Sequence, residues 1–412
     1  MPHAARFPWG WAVAAVGLIV CAVLAGTLLQ PGEGGSRGAG AGASAAASPT
    51  EIALDVSHCG STWGAHGGTH AAGGAQSFTF VNGNTGDVEV QLQQVASKKV
   101  FLEVDGVGAG ARHSAAVALG AGDYRFLCYP ADADPVVGPT VTVGKAPAGA
   151  VLTAGVVPLT TNDLIPVAKK YGAWVKGRLP GLIAQLRTLD ADVAAGDLAR
   201  ARRDWLTAHL TYETLGAAYG AFGAYDTAID GEPASGRTAL DDPSLTGFHR
   251  VEALLWAGRP ASDIRPLTRK LVTDATALAA STTLDRIDPL QIGLRAHEIV
   301  ENAIQFELTG QTDAGSHTNL ATIDANLAGS QQALSELTAL LDSRYAQLPQ
   351  TERSLAAARA LVETYRRADG SWVPLDSLAR VQREQLNAAL DATVELLAPV
   401  AEISEPRKAV QQ

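Results

Sequence analysis

Residues 139–170 read PTVTVGKAPAGAVLTAGVVPLTTNDLIPVAKK, and the texture of the chain changes inside them. The opening PTVTVG alternates β-branched residues between a proline and a glycine, which is how a short strand is bounded. Residues 145–160 carry Pro147 and Pro158 and show no period, so they read as a linker. From Asn162 onward the apolar residues fall at helical spacing. Leu179, Leu182, Ile183, Leu186 and Leu189 recur at three- and four-residue steps. The stretch therefore divides the chain into a β part before it and an α part after it.

Working back toward the N-terminus, residues 51–144 break into runs rich in β-branched and aromatic residues: IALDVS, QSFTFVN, VEVQLQQ, KKVFLEVD, AAVALGAG, DYRFLCYP and PTVTVG. Val88, Val90 and Leu92 alternate with polar neighbours, as a half-buried strand requires. About seven such runs separated by turn residues predict a β-sandwich. Working forward, Leu327, Leu334, Leu337, Leu340 and Leu341 form an apolar stripe, as do Leu386, Leu390, Val394 and Leu397. Asp197 and Asp285 each precede a periodic run and read as N-caps. Seven or eight helices over residues 161–402 are expected, packed as an all-α bundle with its sites between facing helices.

Trp11 to Leu29 is a run of 29 − 11 + 1 = 19 residues without a charge. As a helix it would span about 28 Å, close to the ~30 Å hydrocarbon core of a bilayer. With Arg6 before it, residues 1–30 read as a cytoplasmic stub and single-pass membrane anchor, with all that follows on the extracytoplasmic side. A cleaved, secreted form is the alternative. Cys21 follows Val20, where a lipoprotein signal wants a small residue. Residues 31–50 are a Gly/Ala/Ser tether.

Composition narrows the function. Of 412 residues, 47% are apolar and 18% charged, enough to bury a core in most of the chain. The formal charge is 32 − 42 = −10, which repels phosphate backbones and makes nucleic acid a poor partner and cations a good one. Three cysteines and a single methionine, the initiator, exclude an iron–sulfur or zinc-ribbon framework and a copper site with an axial Met.

Two groups of residues could carry chemistry. In the helical part, GFHRVE places His249 and Glu252 at i and i+3, on one helix face where both can reach one cation. Glu213 lies on the helix running into GAAYGAFG, with Asp226 and Asp230 after that Gly-rich break. Glu298 lies in AHEIVEN, and His317 in SHTNL. One imidazole with several carboxylates suits iron, manganese or zinc. A lone HxxE is weak evidence, since acidic residues on helices are usually solvated. Here Phe248, Val251, Leu254, Leu255 and Trp256 flank the pair and argue for burial, where a charge needs a partner. His249 is followed by Arg250, so there is no HExxH, and no GxSxG occurs. A complete hydrolytic constellation is missing, and the residues read as a binding site, not a catalytic one.

In the β part, Cys59 and Cys128 are 128 − 59 = 69 residues apart in an exported segment. They read either as a disulfide or as thiolate ligands completed by Glu89 and Glu103 on neighbouring strands. His58, His66 and His70 sit in a Gly-rich loop that either binds metal weakly or is solvated. Tyr129 and Pro130 follow Cys128 where a type 1 copper centre needs a histidine.

The order of anchor, small β-sandwich and helical part with GFHRVEALLW, YETLGAAYGAFG, AHEIVEN and QTDAGSHTNL resembles the EfeO-like components of Efe-type iron uptake systems. In that family a cupredoxin-like domain precedes an imelysin-like domain once classed with peptidases. The resemblance covers nearly all of residues 51–402 and includes LCYPADADPVVGPTVTV at the end of the β part. It implies metal ligands at His249, Glu252, Glu213, Asp226 and Glu298 in the helices, and at Cys59, Cys128, Glu89 and Glu103 in the β part. It implies iron, as Fe2+ or Fe3+, as the cargo, with zinc or copper as surrogate or second metal. It also implies two partners, an Efe-type iron permease and a dye-decolourising-type haem peroxidase. The His66/His70 loop and the long apolar N-terminus depart from the pattern. The function expected is capture of iron outside the cell for a permease, with a metallopeptidase as the alternative and a structural surface protein as a third reading.

Overall fold

The computed structural model of the chain describes residues 49–64 and 70–407. The expected anchor over Trp11–Leu29, the tether up to residue 48 and His66 lie outside these residues. Among the described residues no helix is long and apolar enough to cross a membrane.

The β part holds strands β1 (Thr50–Leu54), β2 (His70–Ala71), β3 (Gly74–Asn82), β4 (Val88–Gln94), β5 (Val100–Val107), β6 (Arg112–Leu119), β7 (Gly122–Pro130), β8 (Val136–Val137) and β9 (Val141–Val143). All seven expected runs contain a strand. The two additions, β2 and β8, have two residues each, too few for a period to show. One sheet has the order β1-β3-β6 and the other β2-β9-β7-β4-β5, with β8 pairing a further stretch of β7. Strand alternation decides what lies between them. Ile52, Phe78 and Phe80 from the first sheet meet Val88, Val90, Leu92, Tyr124 and Phe126 from the second in one buried cluster. Trp63 sits edge-on to Phe78 and Phe126, with centroids 5.5 and 5.4 Å away. Each such buried aromatic contributes about 1.5–3 kcal/mol.

The helical part comprises α1 (Thr161–Ala195), α2 (Leu198–Glu213), α3 (Tyr219–Phe222), α4 (Ala224–Asp230), α5 (Gly247–Trp256), α6 (Ala261–Ala280), α7 (Gln291–Asn302), α8 (Asn319–Leu341), α9 (Leu348–Glu363) and α10 (Arg380–Ile403). The apolar stripes read from the sequence face one core: Leu179, Leu186, Leu327, Leu337, Leu386 and Leu397 are all buried in it. Thr160 and Asp163 cap α1 reciprocally, and Asp197 caps α2 through the Arg200 N–H. Ten α-helices stand among the described residues where seven or eight were expected. The difference lies in α3 and α4, short pieces separated by Gly223 at φ 58°. Asp285 caps nothing. Pro289 delays the start of the next helix to Gln291, and Asp285 instead pairs with Lys176 Nζ at 2.5 Å.

The 145–160 segment is stitched to both sides. Val156 exchanges backbone hydrogen bonds with Val100 of β5, and Thr153 N–H donates to Ala118 of β6. Past α10, Arg407 N–H donates to the Leu159 carbonyl, and its guanidinium Nε lies 2.8 Å from Glu103 Oε2.

Candidate metal centre

The cluster is built by three helices and one irregular segment. Helix α2 carries His209 and Glu213, four residues apart on one face. Helix α4 ends on Asp230. Helix α5 carries His249 in its first turn and Glu252 in its second. The segment after the π-helical turn Ala303–Glu307 brings in Asp313 at φ 49°. Helices α4 and α5 can meet only because α5 begins with a glycine. Gly247 has φ 82°, and a Cβ there would lie 2.2 Å from the Ile229 carbonyl oxygen. That contact places Asp230 beside His249.

His209 and His249 both present Nε2 to Asp230 Oδ1, at 3.7 and 3.6 Å. His209 Nε2 is also 3.2 Å from Glu213 Oε1, and His249 Nε2 is 3.3 Å from Glu232 Oε1. The other nitrogen of His209, Nδ1, lies 3.9 Å from Asp313 Oδ1. Asp313 turns its second oxygen to the Thr322 hydroxyl, which donates at 2.6 Å. Glu252 Oε1 accepts the backbone N–H groups of Gly315 and Ser316, at 3.1 and 2.7 Å. Donor atoms of His209, Asp230 and His249 all lie within 4.8 Å of one another, as do those of His249, Glu252 and Asp313.

Charge contacts, more than well-formed hydrogen bonds, hold this packing, the shortest being His209 Nε2 to Glu213 Oε1 at 3.2 Å. Both ring nitrogens of His209, Asp230 Oδ1 and Asp313 Oδ1 are buried without a hydrogen-bond partner. Side chains this deep are normally satisfied, because an unmade bond costs about 1–3 kcal/mol. Aromatic rings enclose the site: Trp205 stacks on His209 at 4.7 Å and donates its Nε1–H to the Phe248 carbonyl.

Electrostatics point the same way. Burial disfavours a charged imidazole, yet the carboxylates of Glu213, Asp313 and Asp230 outweigh it and raise the His209 pKa to about 10. His249 rises to about 9, burial again being overcome, here chiefly by Asp230 and Glu232. Burial raises Asp230 to about 8, aided by the charge of Glu213. Glu307, at the end of the π-helical turn, rises to about 8 through burial and Asp313. For Glu213 burial is overcome by His209, and its carboxyl is held below the usual range. Protonated imidazoles thus occupy the place a metal cation would take among these carboxylates.

Of the residues named from the sequence, Glu213 and His249 line one cavity, and Glu252 lies beside His249 in the adjoining one. Asp226 stands one layer behind, with the Tyr212 hydroxyl donating to its Oδ1 at 2.6 Å. Glu298 is in neither donor group: it is half-buried, and its Oε2 pairs with Arg295 at 2.9 Å. His317 is exposed. Sequence reasoning passed over His209, Glu232, Glu307 and Asp313, and named Asp230 only beside Asp226. The HxxxE spacing of His209 and Glu213 was the available signal. Asp313 lay in the quoted QTDAGSHTNL, where His317 drew attention instead.

The four β-part residues do not form a site. Cys59 and Cys128 are joined in a disulfide, so their sulfurs are not free thiolates. Strand parity separates the rest. Cys128 pairs with Val90 and faces the core, whereas Glu103 pairs with Gln91 and shares the opposite face with Glu89. Glu89 accepts from the Gln91 amide at 2.7 Å, and Glu103 is taken by Arg407. The metal reading of Cys59, Cys128, Glu89 and Glu103 is therefore corrected.

The chain is similar to the iron uptake system component EfeO of Escherichia coli (strain K12), 24% identical over 229 residues. The same protein of Shigella flexneri and of Escherichia coli O157:H7 matches over the same length at the same identity. Each match covers 55% of this chain and 61% of the relative's own length. The imelysin family model, labelled Peptidase_M75, matches residues 167–400, the stretch that contains α2 through α8 and every member of the cluster. The chain belongs to the imelysin family.

Proposed function

We propose that this protein captures iron outside the cell in the α2–α4–α5 cleft and passes it to a membrane permease. The observation that carries the reading is the convergence of two buried imidazoles on Asp230 Oδ1, which itself has no hydrogen-bond partner. His209, Glu213, Asp230 and His249 would hold the ion, with Glu252 beside them. Imidazole with carboxylate oxygen suits iron and also admits zinc or copper as surrogate. The relatives' name, iron uptake system component, supports iron as the cargo. An Efe-type permease is the partner that such cargo needs, and a dye-decolourising-type haem peroxidase the one that would change its oxidation state. Anchorage through residues 11–29 would keep the cleft near the permease.

Titration calorimetry of the full chain with Fe3+ citrate and with Zn2+ tests the reading. His249→Ala should lower affinity by a hundredfold or more, about 3 kcal/mol. Wild-type protein that takes up neither metal would refute it. The metallopeptidase reading rests on the family's Peptidase_M75 label. Casein turnover by the metal-loaded chain, abolished in Glu252→Gln, would favour it; we expect no turnover.

A further inference from the structure

Two cavities meet at His249. The first, about 160 Å³, is lined by His209, Glu213 and Asp230. The second, about 450 Å³, is lined by Glu252 and Asp313 beneath residues 232–239. His249 and Glu232 line both, together with Phe306 and Thr312. The donor triads divide in the same way. His209, Asp230 and His249 belong to the first cavity, and His249, Glu252 and Asp313 to the second. Each cavity is also lined by an aspartate with an unsatisfied buried oxygen, Asp230 Oδ1 in the first and, in the second, Asp313 Oδ1, which lies 3.9 Å from His209 Nδ1. Asp313 is 1% exposed, so solvent does not satisfy that oxygen.

We propose that the cleft holds two cations, one in each cavity, with His249 at the boundary. The proposal rests on the metal-binding reading above and adds a second position to it. The donors differ between the two. The first cavity offers imidazole nitrogen and suits a transition-metal ion. Once that ion has taken His249, the second position is left with Glu252, Asp313, Glu232 and water, and suits a harder cation. Glu252 keeps only Oε2 for this role, since Oε1 is tied to two backbone N–H groups. Like charges in neighbouring cavities repel, so the second ion binds more weakly. Glu232, the exposed carboxylate common to both cavities, lies between the two positions.

Native mass spectrometry and calorimetry of the full chain with Zn2+ test this. Two zinc ions per chain are expected, the second bound at least about tenfold more weakly. Asp313→Asn should remove the weak step and leave one zinc, and His209→Gln should remove the tight step and leave the weak one. Should Asp313→Asn fail to fold, Glu252→Gln addresses the same cavity. A single zinc in the wild type, or loss of all zinc in Asp313→Asn with folding retained, would overturn the second position alone. Absence of any zinc in the wild type would overturn it together with the metal-binding reading.

Discussion

His209 is the residue on which the chemistry turns: it is 1% exposed, stacked on Trp205 and faced by carboxylates from three elements. Without a metal, the cleft holds its charge balance by binding protons. His209, His249, Asp230 and Glu307 all have pKa values above their ordinary ones, at about 10, 9, 8 and 8. A folded chain that binds more protons than the unfolded one loses stability as pH rises. The imidazole contributions are fully present below about pH 6.5, the unfolded His value, and are lost as pH climbs through about 9 to 10. Glu213, held low, acts in the opposite sense. The unfolding temperature of metal-stripped protein should therefore fall between pH 6.5 and pH 9. Saturating zinc should flatten that slope, because the ion displaces the protons. A melting temperature that rises over the same range would contradict this. At this scale the sequence was partly legible. HxxE announces itself because i and i+3 share a helix face. Asp313 does not, because it reaches the cleft from a segment without a period.

At the scale of elements, Gly247 sets the site. Its positive φ, and an Ile229 carbonyl oxygen that would stand 2.2 Å from any Cβ, leave no room for a side chain. Gly247→Ala should cost more than about 1 kcal/mol of stability, because the native backbone cannot accept it without strain. It should also weaken zinc binding, because α4 and α5 must separate. Chemical denaturation and calorimetry on one preparation check both, and unchanged affinity would show that the helix contact does not position Asp230. The long elements were legible for ordinary reasons. Period-two alternation gave β4 and, in Tyr124 and Phe126, β7, and three- and four-residue steps gave α1, α8 and α10. The short ones were not. Helices α3 and α4 are too brief for a stripe, and they hold Asp230 where only tertiary packing could reveal it. Parity was legible in principle: the alternation that buries Val88, Val90 and Leu92 already sends Glu89 to the other face, away from Cys128.

Over the whole molecule, a formal charge of −10 favours the approach of cations, and the cleft adds a local excess of carboxylates to that field. The β part and the bundle are joined by backbone bonds along residues 145–160 and by the Arg407–Glu103 ion pair. Those ties were not visible in a segment that reads only as a linker. The disulfide closes a 69-residue loop in the β part and stiffens it without engaging a metal. The central claim, that two imidazoles and carboxylates hold the ion in the bundle, is tested most directly by iron K-edge absorption fine structure on the iron-loaded full chain. Imidazole scattering from two histidines is expected, with both signals and the bound iron lost in the His209→Gln, His249→Gln double variant. An all-oxygen iron shell without imidazole, or a double variant that keeps its iron, would contradict the account.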